Sequence, residues 1–166
     1  NTYNLPDSAI KQGNKVMDAT LYTGNGATQT ITNAGGFKPD LVWVKSRSAA
    51  TDHKLTDSVR GVTKGLISDT TGVETTDTNG LTAFNANGWS LGTDTVYNNN
   101  AATYVGWQWQ AGQGSTSTNT NGTITSTVSV NATAGFSVVT YTGNSTAGAT
   151  VGHGLGVAPS FIIVKC

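Results

Sequence analysis

Charge is scarce in this sequence, and the scarcity narrows what the chain can do. Only 11% of its 166 residues are Asp, Glu, Lys or Arg, against about a quarter in an ordinary globular chain. Nine basic and nine acidic residues cancel to a formal net charge of zero. Binding nucleic acid or an anionic membrane surface calls for clustered Lys and Arg, so neither partner is expected. Cysteine is nearly absent too: Cys166 stands alone, which forbids an internal disulfide and leaves stability to packing. No apolar run approaches the roughly 18 residues of a membrane span, so no membrane insertion is expected. The polar start Asn1-Thr2-Tyr3-Asn4 has neither the basic region nor the apolar stretch of a signal peptide. Helical pattern is sparse as well. The best segment is Pro6 to Gln12, with Pro suited to a first helical turn and Gly13 to its end.

Thr, Asn, Gly and Ser take the place of charge, yet 36% of the residues are apolar, including four Trp, five Tyr and four Phe. Low hydrophobicity joined to high net charge marks disorder; this chain has neither and is expected to fold around an aromatic-rich core.

The sequence repeats itself. Tyr22-Thr23-Gly24-Asn25 returns as Tyr141-Thr142-Gly143-Asn144, 119 residues on, and Gly36, Pro39, Val44 and Lys45 return as Gly156, Pro159, Val164 and Lys165, 120 residues on. Each copy reads as a strand ending in Tyr-Thr-Gly-Asn, a polar hairpin, a Gly turn and then a Pro leading an apolar strand, Leu41-Val42-Trp43-Val44 or Phe161-Ile162-Ile163-Val164. The second copy breaks off inside its apolar strand, so the chain reads as an ordered portion of something longer.

Period-two alternation is clearest from Tyr104 to Gln110, with Val105, Trp107 and Trp109 on one face and Gly106, Gln108 and Gln110 on the other. The three apolar residues are the expected inward face. Thr123 to Val130 alternates likewise, and the Leu41 and Phe161 runs, apolar on both faces, read as central strands. Asn87-Gly88, between Phe84 and Trp89, is a two-residue hairpin signal. These strands predict an all-β fold: an antiparallel β-sandwich module of jelly-roll or concanavalin-like type, followed by the start of a second, similar module. The expected divisions are a junction segment 1–14, a first sandwich 15–112, a Thr/Ser/Asn-rich connector with one strand 113–134, and the beginning of the second module 135–166.

Residues suited to catalysis occur without a catalytic pattern. His53 lies near Ser46, Ser48, Asp52 and Asp57, but nucleophilic chemistry needs a base oriented by a third group, and Asp57 reads as a structural partner of Arg60. His53 and His153 lack metal-ligand companions. Asp77-Thr78-Asn79-Gly80 begins like a calcium loop but lacks the downstream Glu, and reads as a turn. Gly152-His153-Gly154-Leu155-Gly156 lacks the strand and helix of a phosphate loop. Neither an enzyme, a metal nor a cofactor is expected. Exposed aromatic rings can stack on sugars; Trp43, Trp107 and Trp109 read as core, which leaves Trp89 as the candidate ligand or interface residue.

The run Gly36-Phe37-Lys38-Pro39-Asp40-Leu41-Val42-Trp43-Val44-Lys45-Ser46-Arg47-Ser48, the following Asp57-Ser58-Val59-Arg60-Gly61, the strand Thr103-Tyr104-Val105-Gly106-Trp107 after Asn98-Asn99-Asn100, and the second run from Tyr141 to Lys165 together resemble a family of tailed-phage virion proteins common in aquatic and marine phages. In that family such units look like C-terminal β-sandwich modules of larger proteins, often behind a SPRY-like or concanavalin-like domain, and Asn4-Leu5-Pro6-Asp7 is similar to the junction. The resemblance implies a structural virion protein on the external surface, part of a tail fibre or other appendage that aids host attachment, and it carries over no functional residues. The expected partners are copies of the same chain, as a trimer or another symmetric homo-oligomer, other virion proteins, and a host-surface glycan. A capsid-surface decoration protein and a carbohydrate-binding module outside any virion are the alternatives.

Overall fold

The computed structural model describes residues 12–166. The expected helix from Pro6 and the junction motif Asn4-Leu5-Pro6-Asp7 lie outside the described residues. A 3-10 turn at Gly13–Lys15 leads into β1 (Met17–Thr23), β2 (Gln29–Thr32), β3 (Leu41–Ser46), β4 (Lys54–Asp57), β5 (Lys64–Ile67), β6 (Thr75–Thr76), β7 (Leu81–Asn85) and β8 (Gly88–Leu91). A single helical turn, α1 (Thr95–Asn98), precedes β9 (Thr103–Trp109), and β10 (Ser117–Asn119), β11 (Ser126–Asn131) and β12 (Phe136–Tyr141) follow.

These strands make an all-β, antiparallel sandwich. One layer is six-stranded in the order β1-β9-β3-β4-β5-β6, and the facing layer is three-stranded in the order β2-β8-β7. Between them lie Ile31, Val42, Val44, Leu81, Trp89, Leu91, Tyr97 and Tyr104. β3 is a central strand, as its two apolar faces suggest: Val42 and Val44 point into this core, each 1% exposed, while Leu41 and Trp43 point outward with intermediate burial.

The inward face of β9 is the opposite of the one its apolar residues predict. Tyr104, Gly106 and Gln108 face the core and are buried, while Trp107 and Trp109 are on the outer face and only half-buried. Trp89, the candidate ligand or interface residue, is the one that fills the core, at 0% exposure. Gly106 explains the inversion, because a Cβ there would fall 2.6 Å from the Trp89 ring carbon Cζ2. A strand glycine often marks such a close approach, here by an indole. Gln108 is tolerated inside because its amide is paired: Asn33 Nδ2 donates to Oε1 at 3.0 Å, and Nε2 donates to Thr20 Oγ1 at 2.8 Å. A buried polar group so satisfied loses little.

The β7–β8 turn also sits one residue earlier than the Asn-Gly signal suggests. Asn85 pairs with Gly88, so Ala86 and Asn87 form the turn. Gly88 opens β8 instead, where a Cβ would collide with the carbonyl oxygen of Ile31 on β2. The connector differs as well, since it carries two strands. β11 pairs with β10 on one side and β12 on the other in a separate three-stranded sheet of order β10-β11-β12, with an isolated parallel bridge between Ile124 and Val151.

Candidate functional site

On the outer face of the six-stranded sheet the register aligns Ala19, Trp107, Trp43, Leu55 and Leu66 across five strands. Trp43 and Trp107 meet edge to face, with ring centroids 5.9 Å apart at 71°. The Trp43 indole is fixed by His53, its Nε1 donating to His53 Nδ1 at 2.9 Å with the rings 5.7 Å apart. Nδ1 therefore acts as an acceptor, and the ring proton resides on Nε2. Beside this pair, Leu21 is 62% exposed, next to Val105 in the ladder. The rim is polar. Lys45 Nζ donates to the Ser46 and Ala49 carbonyls, and the His53 backbone N–H donates to Asp69 Oδ1 at 3.0 Å. That N–H holds the exposed Asp69 carboxyl below its ordinary range, with the Lys45 ammonium adding positive potential. The result is a rigid ledge of half-buried indoles edged by one cation and one carboxylate, able to stack on a flat apolar surface and to hydrogen-bond around it.

The residues that resemble catalytic ones are brought to separate tasks. Ser46 Oγ donates to the Thr103 carbonyl and accepts from Ala49 N–H, and Ser48 Oγ accepts from Thr103 N–H at 2.9 Å. Both hydroxyls tie the β3–β4 loop to the start of β9, and His53 Nδ1 is taken by Trp43. Asp57 pairs with Arg60 at 2.6 Å and accepts from the Val59 and Arg60 backbone N–H groups. His153 Nδ1 accepts from Leu155 N–H. Among the described residues, no group of three or more His, Cys, Asp or Glu is placed to hold a metal ion. Trp89, the one aromatic nominated for a ligand role, is closed off in the core and cannot serve one. The candidate surface belongs to Trp43 and Trp107, and the signal for it was Gly106, whose missing side chain marks the inward face of β9.

Two carboxyls do approach each other. Asp94 caps α1, accepting from Val96 N–H at 2.6 Å, and Asp77 in the preceding turn accepts from Asn79 N–H. Burial and the neighbouring Asp94 push Asp77 up to about 6. The turn is packed against Tyr97, whose Cε2 would lie 2.8 Å from a Cβ at Gly80, so this pair has a ring over it in place of a groove.

A third feature was not visible in the sequence. Asp40 is 0% exposed, and both its oxygens are occupied. Oδ1 accepts from Ser58 Oγ at 2.6 Å, Gly114 N–H at 2.7 Å and Ser129 Oγ at 3.4 Å. Oδ2 accepts from the N–H groups of Ala111 and Gln113, both at 2.7 Å. One carboxylate thus joins the entry to β3, the turn after β4, the segment leaving β9, and β11. Around it, Gly112 N–H donates to Ser129 Oγ, Asn131 Nδ2 donates to Gln110 Oε1, and Trp109 stacks on Phe136 with centroids 6.0 Å apart. A shallow cleft of about 310 Å³, lined by Val16, Met17, Trp109 and Phe136, lies along this seam.

The fold and its surfaces define a two-layer β-sandwich module joined through a buried carboxylate to a further antiparallel sheet. The family model that matches is a domain of unknown function, DUF7483, over residues 12–166, and the chain belongs to that family. The match runs across the sandwich, the seam and the β10–β12 sheet together. No curated protein and no solved structure matches the chain.

Proposed function

We propose that the chain is a structural module of a tailed-phage virion, part of a fibre or other external appendage that aids host attachment. The observation that carries this reading is the Asp40 seam. Five donors on three parts of the chain converge on one buried carboxylate, which fixes the sandwich against the next sheet as a relay of rigid units requires. The Thr-rich, low-charge surface supports it, because short hydroxyl side chains lose less conformational entropy than long ionic ones when copies pack. So does the resemblance of the two repeated runs to virion modules. Cryo-EM of intact particles encoding this chain tests the reading: copies of the sandwich are expected around the symmetry axis of a tail appendage. Density spread over the capsomers would make it a decoration protein, and absence from purified particles would overturn a virion role.

The Trp43–Trp107 ledge favours a second, compatible reading, in which the outer sheet face binds a host-surface glycan. Saturable binding on a glycan panel is expected. Trp107→Ala is expected to lose it about tenfold, the upper end of the roughly 0.5–1.5 kcal/mol of an aromatic contact, while the chain still folds cooperatively with a lowered melting temperature. A flat response across the panel would remove this reading and leave the structural one intact.

A further inference from the structure

In an Asn-Gly pair the backbone nitrogen of the glycine can attack the side-chain amide before it, because glycine places no Cβ in the way and bends freely. The chain has four such pairs, Asn25-Gly26, Asn79-Gly80, Asn87-Gly88 and Asn121-Gly122, and the fold ties down three of them. Gly26 N–H donates to the Asn98 carbonyl at 2.9 Å, while Asn25 Oδ1 accepts from Ala27 N–H and from Asn98 Nδ2. Gly80 N–H donates to the Asp77 carbonyl at 3.2 Å, and the Asn79 carbonyl accepts from Asp94 N–H at 3.0 Å. Gly88 lies in β8 between Thr32 and Asn85, and the Asn87 carbonyl accepts from Asn33 N–H at 2.8 Å.

Asn121-Gly122 differs from all three. It occupies the bend between β10 and β11, with Asn121 exposed and Gly122 half-buried. Asn121 N–H donates to Asn119 Oδ1 at 2.9 Å, but among the described residues neither the Asn121 side-chain amide nor the Gly122 N–H makes a hydrogen bond. The residues that follow are anchored. Thr123 N–H donates to Thr150 Oγ1 at 3.0 Å, Thr150 N–H donates back to Thr123 Oγ1 at 2.8 Å, and Ile124 N–H donates to the Thr150 carbonyl at 3.0 Å. An unrestrained nucleophile and electrophile therefore stand directly before a fixed clamp. The charge around them is unusual as well: between Asp94 and Lys165 the sequence contains no Asp, Glu, Lys or Arg.

We propose that Asn121 is a site of self-modification, converting through a succinimide to an aspartyl or isoaspartyl residue. The Gly122 nitrogen, its proton taken by hydroxide, bonds to Asn121 Cγ; the Cγ–Nδ2 bond breaks, and the leaving nitrogen takes a proton from water and departs as ammonia. Water then opens the ring at one of its two carbonyls, which restores the ordinary linkage or routes the main chain through Cβ. The balance is one water in and one ammonia out, with a carboxylate in place of the amide. That carboxylate is the first charge in an otherwise uncharged stretch, so packing this surface against a neighbour then carries a desolvation cost. The isoaspartyl product also lengthens the main chain by one methylene immediately before the Thr123–Thr150 clamp.

The test holds the full chain in mildly alkaline buffer, folded or unfolded in urea, and follows each Asn-Gly pair by peptide mass spectrometry, with isoaspartyl methyltransferase labelling to mark the lengthened linkage. In the folded chain Asn121 is expected to convert about tenfold or more faster than the other three, because their reaction waits for local opening; in urea the four rates are expected to converge. Comparable rates at all four pairs in the folded chain, or conversion of Asn121 only after unfolding, would overturn the proposal. Amide hydrogen exchange on the converted chain supplies the second measurement. The isoaspartyl product is expected to lose protection at Thr123, Ile124 and Thr150, whereas Asn121→Asp, which carries the charge on an ordinary backbone, is expected to keep it. Equal loss in Asn121→Asp would overturn the role given to the lengthened main chain.

Discussion

Asp77 is a carboxyl held against another carboxyl, and its titration makes a definite contribution to stability. Its folded value of about 6 lies above the roughly 3.9 of an unfolded Asp, so the folded state binds this proton more tightly. The resulting stabilisation is fully present below about pH 4 and is lost as pH rises through about 6. Asp77→Asn, which is neutral at every pH, is therefore expected to flatten the stability profile between pH 4 and 6 and to raise the melting temperature slightly at pH 7. Thermal unfolding of both proteins across that range checks it, and an unchanged profile would show that the Asp77–Asp94 contact carries no net repulsion. Trp89 and Gly106 form a complementary pair of a different kind. Gly106→Val places new carbons where the indole lies and is expected to destabilise the fold by about 1–3 kcal/mol through overpacking. Trp89→Ala removes the ring and is expected to lose about 3–5 kcal/mol. Urea unfolding of the two variants checks both values; a neutral Gly106→Val would mean that the indole can shift without loss.

At the level of the element, β9 shows what a sequence pattern carries and what it leaves open. Its alternation sorts six residues, Val105 to Gln110, into two faces, because side chains on a strand point to opposite sides in strict period two. The pattern has no sign, however. Choosing the inward face by hydrophobicity favours Val105, Trp107 and Trp109, while the packing is decided by an indole arriving from β8, 17 residues earlier in the chain, at Gly106. Where both faces of a sheet have apolar content, shape complementarity across the sandwich selects between them, and that is a tertiary property. β3 was legible because both its faces are apolar and a central position is the only place for such a strand. The β7–β8 hairpin was legible in position but not in detail: Gly88 is required by the approach of β2, and the turn itself uses Ala86 and Asn87. The Trp43–Trp107 ledge is illegible for the same reason as the core, since the alternation alone makes Trp43 and Trp107 read as core and leaves Trp89 as the surface candidate. Asp40 was missed because five of its contacts come from residues 18 to 89 positions away, beyond any local pattern.

Across the whole molecule, the Asp40 seam determines whether the sandwich and the β10–β12 sheet open together or separately. Both carboxylate oxygens accept at least two hydrogen bonds, three of them from backbone N–H groups, and water cannot replace a partner at a site with no exposed surface. Asp40→Asn turns one acceptor oxygen into an NH₂ group facing backbone donors; Asp40→Ala removes both oxygens. Each orphaned buried donor costs about 1–3 kcal/mol, so Asp40→Ala is expected to destabilise the seam by roughly 3–5 kcal/mol, in the range for breaking a buried charged network. The stronger expectation concerns cooperativity. In the wild type, amides of β11 and β12 are expected to exchange through the same opening as those of β3 and β9, because the carboxylate binds both sheets in one network. In Asp40→Asn the β11 and β12 amides are expected to exchange faster while the core amides of Val42, Val44 and Tyr104 hold closer to their original protection, separating one cooperative unit into two. Equal loss of protection in both sheets would instead assign Asp40 to the sandwich alone, since its contacts to Ser58 and the β3 entry would then matter and those to Ser129 would not. That outcome would also remove the mechanical argument for a rigid appendage, because the second sheet would then rest on neutral contacts such as the Trp109–Phe136 stack and the hydrogen bonds of Gly112 and Asn131.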